Sequence, residues 1–173
     1  MSLSIGEVKM TGFAQYLPAI LDRATNIENY SETYENNRHH VYSLAFWMTD
    51  NELAAEELMT QTFCRAFSAT HQPTIDDIDC ALISELREYM DLGALTLNCA
   101  LSDRVLSVRT NTMRVDLERA VVQLPNTEKM IFLMHDVEGY DHARIARLLG
   151  ISKNVSVQGL HQARLRMREL LVK

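Results

Sequence analysis

The residues best suited to chemistry lie in and just beyond the stretch ARIARLLGISKNVSVQGLHQAR, at 143–164. Hydroxyl, amide, imidazole and cationic side chains recur there at the spacing of one helix face. Amides and guanidinium groups hydrogen-bond base edges in the major groove of DNA, and cations neutralise phosphates. The pattern therefore favours contact with nucleic acid. The candidate residues are Ser152, Lys153, Asn154, Gln158, His161, Arg164 and Arg168.

The same stretch contains the elements needed to position such a face. Ile145, Leu148 and Leu149 give a short helix one apolar side, and Gly150 permits a tight turn because glycine adopts positive φ at little cost. Ser152 is a suitable N-cap for a second, longer helix. The spacing therefore predicts a helix-turn-helix, although a helical hairpin with solvated arginines would show the same spacing. The apolar side of the second helix consists of Leu160, Ala163, Met167, Leu170 and Leu171.

Charge is distributed unevenly along the chain. The whole chain has a formal net charge of −6. Residues 1–125 contain 18 acidic and 9 basic side chains, whereas residues 126–173 contain 5 acidic and 8 basic ones. From His142 onward, seven basic residues are opposed by Glu169 alone. A local excess of cations attracts the phosphates of nucleic acids. This excess favours DNA binding over the plain helical hairpin.

Other kinds of site find little support in the sequence. Cys64, Cys80 and Cys99 are odd in number, far apart and form no C-x-x-C pair, which argues against a disulfide framework or a zinc site. His39 and His40 lack a further ligand at suitable spacing, so we expect no metal and no cofactor. No apolar run approaches the roughly 20 residues of a membrane span, and the N-terminus has no secretory pattern. We expect a reduced, cytoplasmic protein without membrane insertion.

Apolar periodicity predicts helices in the first half of the chain and no strand. A first helix begins near Pro18, and amphipathic helices follow at 30–49 and 52–69. Residues 71–79 are predicted to form a loop. A further helix is predicted at 80–92, ended by a glycine.

The second half is predicted to resume helical order from Asp116. Its helical segments are DLERAVVQL, NTEKMIFLMHDV, HARIARLLG and a C-terminal helix from about 153 to 171. We therefore expect an all-α fold of two lobes, at 1–93 and 116–173, joined by a linker at 94–115.

These segments together resemble the small bacterial RNA polymerase sigma factors of the extracytoplasmic-function (ECF) type, which are sigma-70-like. The family's first lobe has an aromatic-rich helix and then an Ala-Glu-Asp-Leu…Phe-x-Arg-Ala-Phe helix; here YENNRHHVYSLAFWMTDNELAAEELMTQTFCRAF occupies 34–67. The family's second lobe shows Leu-Pro, Glu-Gly, Ile-Ala-x-x-Leu-Gly-Ile-Ser and Leu-His-x-Ala-Arg. This chain has those motifs at 124–125, 138–139, 145–152 and 160–164.

The resemblance implies a function in transcription initiation, without catalytic residues, because the polymerase performs the chemistry. The first lobe, a region 2-like bundle, would bind core RNA polymerase and read promoter DNA near −10. The region 4-like helix-turn-helix would read DNA near −35. An anti-sigma factor is a further partner that the resemblance suggests. The residues that match the family's polymerase-contacting helix are Glu56, Glu57, Leu58, Gln61 and Arg65; without the resemblance, the two glutamates would be read as a solvated helix face.

The segment 71–103 departs from the family pattern. It contains seven acidic groups and one cation, Arg87, and its single aromatic residue is Tyr89. The family has a basic, aromatic helix there, which helps to open promoter DNA. Because strand capture requires cations and stacking aromatics, the acidic segment argues against promoter melting by this lobe.

The recognition helix departs from the pattern too. The family's Gly-Thr-Val-Lys-Ser-Arg-Leu is replaced by residues 154–160. Ser156 stands in place of a buried valine, and Val157 and Gly159 stand in place of a DNA-facing lysine and arginine. We therefore predict fewer phosphate contacts than in the family. A milder change is Thr60-Gln61, where Gln-Glu is common.

Two functions remain open from the sequence. The first is a divergent sigma factor that binds core polymerase and a promoter, which the retained Lys153, Arg164, Arg166 and Arg168 favour. The second is a sigma-like protein with weak DNA activity, which binds an anti-sigma factor or another regulator through the same surfaces. The acidic 71–103 segment suits that second function.

Overall fold

Seven α-helices account for most of the residues that the computed structural model describes, which are 17–97 and 113–172. No strand occurs within these ranges, and the predicted all-α fold is confirmed. The predictions for Cys99, for Asp103 and for most of the linker fall outside the described residues.

The first lobe consists of helices α1 (Leu17–Thr49), α2 (Glu52–Ala69) and α3 (Ile75–Tyr89). Helix α1 is continuous, so the segment near Pro18 and the segment at 30–49 belong to one helix. The chain turns at Asp50, whose φ is 52°. The side chain of Asn51 then accepts a hydrogen bond from the backbone N–H of Ala54 and caps α2.

The predicted loop at 71–79 is wrong in its second half. The hydroxyl of Thr74 accepts from the Asp77 N–H, and the Asp77 carboxylate accepts from the Thr74 N–H, which forms a capping box. Helix α3 therefore starts five residues earlier than the predicted start at residue 80, and it ends at Tyr89 rather than beside Gly93. The reciprocal cap explains how acidic residues can occupy the first turn of this helix, since carboxylates are stabilised near a helix N-terminus.

The second lobe consists of α4 (Arg114–Val122), α5 (Asn126–Phe132), α6 (His142–Leu149) and α7 (Lys153–Val172). Helix α5 continues into a π-helical turn, Leu133–Val137. Asp141 caps α6, and Gly150 ends it at φ 64°. The Ser152 hydroxyl accepts from the Val155 N–H at the start of α7. The predicted helix-turn-helix is therefore present as α6 and α7.

Segment 93–97 lies against the second lobe. The Gly93 N–H donates to the Thr127 hydroxyl at 3.0 Å, and the N–H groups of Thr96 and Leu97 each donate to Oε1 of Glu128 at 2.7 Å. Glu128 is fully buried, so its carboxylate serves as an acceptor for backbone that would otherwise be unsatisfied. The start of the predicted linker is thereby anchored to α5.

Buried apolar side chains of both lobes form one cluster. In the first lobe, α2 packs against both α1 and α3; in the second, α7 packs against α4, α5 and α6. Leu58 of α2 is completely buried in this cluster, whereas Leu53 of the same helix is 78% exposed.

This contrast provides a stability test. Leu58→Ala removes a buried side chain and leaves a cavity, so we expect it to lower the free energy of unfolding by about 2–5 kcal/mol. Leu53→Ala makes the same chemical change in the same helix and should alter that free energy by less than about 0.5 kcal/mol. Urea unfolding followed by circular dichroism measures both. Equal effects of the two variants would contradict the assignment of Leu58 to the core.

Candidate nucleic-acid interface

Helix α7 presents one polar face to solvent. The face runs along the helix from its N-terminal cap, in steps of three or four residues. Every residue predicted to contact DNA is exposed on it: Ser152, Lys153, Asn154, Gln158, His161, Arg164 and Arg168. The structure thus brings the predicted set together on one surface.

The opposite face of α7 packs into the second lobe. Leu160, Ala163 and Met167 are buried there. Ser156 is also fully buried, and its hydroxyl oxygen lies 3.0 Å from Nδ1 of His142 in α6. Burial, with the nearby charge of His135 next in effect, lowers the pKa of His142 and favours its neutral form. The serine that stands in place of a valine therefore has a partner inside the fold.

Gly159 lies on the buried side of α7 and not on the polar face. A Cβ built on it would lie 2.6 Å from Cδ1 of Ile131 and 2.8 Å from Cδ2 of Leu95. The interpretation of Gly159 as a lost DNA contact is therefore wrong, because a side chain here would collide with α5 and with segment 93–97. Val157, in contrast, is 45% exposed.

Arg164 is held by an ion pair within the lobe. Its Nε and Nη2 atoms donate to the Asp136 carboxylate at 2.9 and 2.6 Å. Burial of Asp136 acts to raise the pKa of its carboxyl, but the hydrogen bonds from Arg164 and His135 outweigh it and hold that pKa below its usual range. Because this two-bond pairing orients the guanidinium, Arg164 is less free to reach DNA than Lys153 or Arg168.

The candidate polymerase contacts lie on α2 and divide into two groups. Glu56, Glu57, Gln61 and Arg65 are exposed, and the Gln61 amide donates to Glu57 at 3.2 Å. Leu58 is completely buried, so the interpretation of its side chain as a surface contact is corrected. Its apolar side chain serves the core of the first lobe.

The acidic residues of α3 have partners within the protein. Arg65 of α2 donates to the carboxylates of Glu85 and Glu88. Asp76 accepts from Arg144 and Arg147 of α6, at 2.7 and 2.9 Å. The acidity that the sequence suggests as a repulsive surface is therefore largely neutralised in this arrangement.

Sequence reasoning missed a polar cluster between the lobes. His40, Asp79, Tyr140 and Arg144 come together there, although 39 residues separate His40 from Asp79 and 61 separate Asp79 from Tyr140. No spacing rule links residues so far apart, and only the packing of α3 against both α1 and α6 brings them into contact. In the sequence, His40 stands out only as one of two adjacent histidines, His39 and His40, that lack a further metal ligand at suitable spacing.

Within the described ranges, no group of three or more His, Cys, Asp and Glu side chains is arranged to hold a metal ion. None of the described helices combines the length and the apolarity needed to cross a membrane.

Two comparisons with known proteins agree with this architecture. Residues 114–167 match the family model described as Sigma-70, region 4. The fold is similar to that of the sigma factor RpoE from Bartonella quintana, crystallised in complex with the anti-sigma factor NepR. That similarity has a TM-score of 0.63 and 15% sequence identity, and it covers 83% of this chain and 97% of that chain. The predicted resemblance to sigma factors is therefore confirmed for region 4 by the family model, and the fold as a whole is similar to that of one sigma factor.

The contrast between Gly159 and Val157 can be tested by restoring the family's cations one at a time. Gly159→Arg forces a long charged side chain against Ile131 and Leu95, so we expect the free energy of unfolding to fall by about 2 kcal/mol or more. Val157→Lys places its charge in solvent and should change that free energy by less than about 0.5 kcal/mol. Thermal unfolding of both variants measures the difference. A Gly159→Arg variant as stable as the parent would show that position 159 is open to solvent.

Proposed function

We propose that this chain is a sigma factor that binds core RNA polymerase and directs it to promoters. In this proposal the first lobe contacts the polymerase and the −10 region, and α7 reads the −35 region. The observation that carries the proposal is that both lobes are present in one fold that matches 97% of a sigma factor chain. A helix-turn-helix regulator of another kind would leave α1, α2 and α3 unexplained.

The second lobe supplies a suitable DNA-reading surface. In helix-turn-helix proteins, residues near the N-terminus of the second helix contact base edges in the major groove. Lys153, Asn154 and Gln158 occupy that end of α7 and are exposed. An amide can form two hydrogen bonds with adenine, and lysine can contact guanine or a phosphate. The buried rear face fixes the orientation of these side chains.

The first lobe supplies a candidate polymerase surface on α2. Glu56, Glu57 and Gln61 are exposed there and have no ion pair with another helix in the described ranges. A carboxylate surface of this kind would complement basic residues of a partner protein. Arg65 lies at the edge of the surface, where Glu85 and Glu88 orient its guanidinium.

An anti-sigma factor is a second candidate partner. One observation favours it: the similar sigma factor was crystallised with one. Binding of an anti-sigma factor is compatible with a sigma factor role. Without polymerase binding, it would instead indicate a sigma-like regulator.

A competition experiment tests the proposal. We expect tagged protein to capture bacterial core RNA polymerase, and a housekeeping sigma factor to displace it. Glu56→Arg/Glu57→Arg should weaken capture at least tenfold, since like charges across an interface cost several kcal/mol. The matched control is Glu28→Arg/Glu32→Arg, which makes the same charge change on exposed positions of α1. Absence of capture by the folded parent protein would reject polymerase binding.

The DNA-binding face can be tested separately through the salt dependence of the affinity for DNA. Each lost phosphate contact should reduce the slope of log K against log salt by about 0.9. We therefore expect Lys153→Ala/Arg168→Ala to weaken binding of the isolated chain to duplex DNA of any sequence and to reduce the slope by up to about 1.8. Arg114→Ala, which removes a cation that is 90% exposed at the start of α4, is the control. Fluorescence anisotropy measures both quantities, and an unchanged slope would contradict the assigned face.

A further inference from the structure

Seven side chains form a polar cluster at the contact between the lobes, called here the inter-lobe cluster. The first lobe contributes a histidine and two aspartates. The second contributes a glutamate, a tyrosine and two arginines. The members are His40, Asp76, Asp79, Glu138, Tyr140, Arg144 and Arg147.

Asp79 lies at the centre of the inter-lobe cluster and is completely buried. Its carboxylate accepts from the Tyr140 hydroxyl at 2.8 Å and from Nη2 of Arg144 at 3.1 Å, both in the second lobe. Oδ1 also lies 2.8 Å from Nε2 of His40. A buried carboxylate requires such partners because an unpaired charge in the interior is strongly destabilising. Donors of the second lobe therefore satisfy the hydrogen-bonding needs of a buried carboxylate of the first lobe.

His40 is placed between two carboxylates from different lobes. Its Nε2 lies 2.8 Å from Asp79, and its Nδ1 lies 2.9 Å from Oε2 of Glu138. An ionised carboxylate only accepts hydrogen bonds, and a neutral imidazole has a single N–H to donate. Both contacts can be hydrogen bonds only if His40 is an imidazolium. The geometry of the closed arrangement thus specifies the charge of this residue.

The formal charges of the inter-lobe cluster also sum to zero only when His40 is protonated. Asp76, Asp79 and Glu138 carry three negative charges, and Arg144 with Arg147 carries two positive charges. A protonated His40 brings the sum to zero, and a neutral one leaves an uncompensated negative charge.

Two further titratable groups adjoin the inter-lobe cluster without changing this balance. Burial and the neighbouring Asp79 raise the pKa of Tyr140, so its hydroxyl stays protonated. Burial, followed by the effect of Asp76, raises the pKa of Cys80 and keeps its thiol neutral. His39, the neighbour of His40, is exposed.

We propose that protonated His40 locks the two lobes together, and that loss of this proton favours their separation. The lock is completed across the lobes by Glu138, since Asp79 belongs to the same lobe as His40. On opening, His40 retains Asp79 and loses Glu138.

The direction of the pH dependence follows from the pKa of His40. Burial lowers this pKa, but the contacts with Asp79 and Glu138 outweigh burial and raise it above the ordinary value. The stabilisation of the closed arrangement is therefore fully present below the pKa that His40 has in the open arrangement, where Asp79 remains its partner and Glu138 does not. It is lost as the pH rises through the raised pKa of the closed arrangement. Between the two pKa values, the opening equilibrium constant should increase by up to about tenfold per pH unit, since one proton is released.

Opening would release the arginines of α6 from their carboxylate partners. Arg144 and Arg147 are held by Asp76 and Asp79 in the closed arrangement. In helix-turn-helix docking, the first helix crosses the DNA backbone. The lock would thus withhold two cations from phosphates. This consequence depends on the proposed DNA binding, whereas the lock itself does not.

The test uses the full chain without DNA or polymerase. Small-angle X-ray scattering should show the radius of gyration increasing between about pH 5.5 and 8.5, the range in which histidine titrates. Over the same range, NMR of the imidazole ring should report a His40 pKa above the ordinary histidine value of about 6.5. A constant radius while His40 titrates would overturn the proposal.

Four variants separate the lock from a merely structural role. His40→Gln should remain open and lose the pH response, whereas His40→Lys keeps a cation with several donors and should remain closed throughout. His39→Gln, the matched control, should respond as the parent does. Glu138→Gln should open the lobes and lower the His40 pKa in the NMR titration. Circular dichroism confirms that each variant is folded. A parental pH response in folded His40→Gln, or an unchanged His40 pKa in Glu138→Gln, would overturn the proposal.

Discussion

The buried carboxylate of Asp79 is the group on which the arrangement of this molecule depends. It lies on α3 of the first lobe, yet two of its three partners, Tyr140 and Arg144, belong to the second. A buried charge with three donors is stable, whereas the same charge with a vacant site is costly unless water can reach it. Separation of the lobes therefore requires hydration of Asp79.

In the second lobe, contacts on the buried side of α7 hold the helices together. Gly159 allows α7 to approach α5 and segment 93–97 closely, and Glu128 binds that segment through two backbone N–H groups. Ser156 and His142 join α7 to α6 on the buried side. The orientation of the polar face of α7 is thereby fixed from the buried side of the helix, and Arg164 on that face adds its ion pair with Asp136. A DNA-reading surface benefits from this division, because hydrogen bonds to base edges depend on geometry.

The acidic residues of α3 bind other groups of the protein, which the sequence alone does not reveal. Asp77 caps the helix, Asp76 and Asp79 bind α6, and Glu85 and Glu88 bind Arg65 of α2. The acidity therefore serves contacts within the protein, and it gives no direct support for a sigma-like protein with weak DNA activity. Arg87 extends this role, because its guanidinium donates to the carbonyl of Leu149 at the C-terminal end of α6 at 2.7 Å. A cation at that end also complements the helix dipole.

The sequence by itself determined what local physics controls. Apolar periodicity, the Gly150 turn and the cap at Ser152 were sufficient for the all-α class, the helix-turn-helix and the exposed face of α7, because these features depend on neighbouring residues. Tertiary structure alone decided the rest. It placed Leu58 and Gly159 inside, although the family resemblance assigned both positions to contact surfaces, and it joined His40 to Glu138 across 98 residues. Contacts between distant segments arise from the packing of whole helices, and no local spacing encodes them.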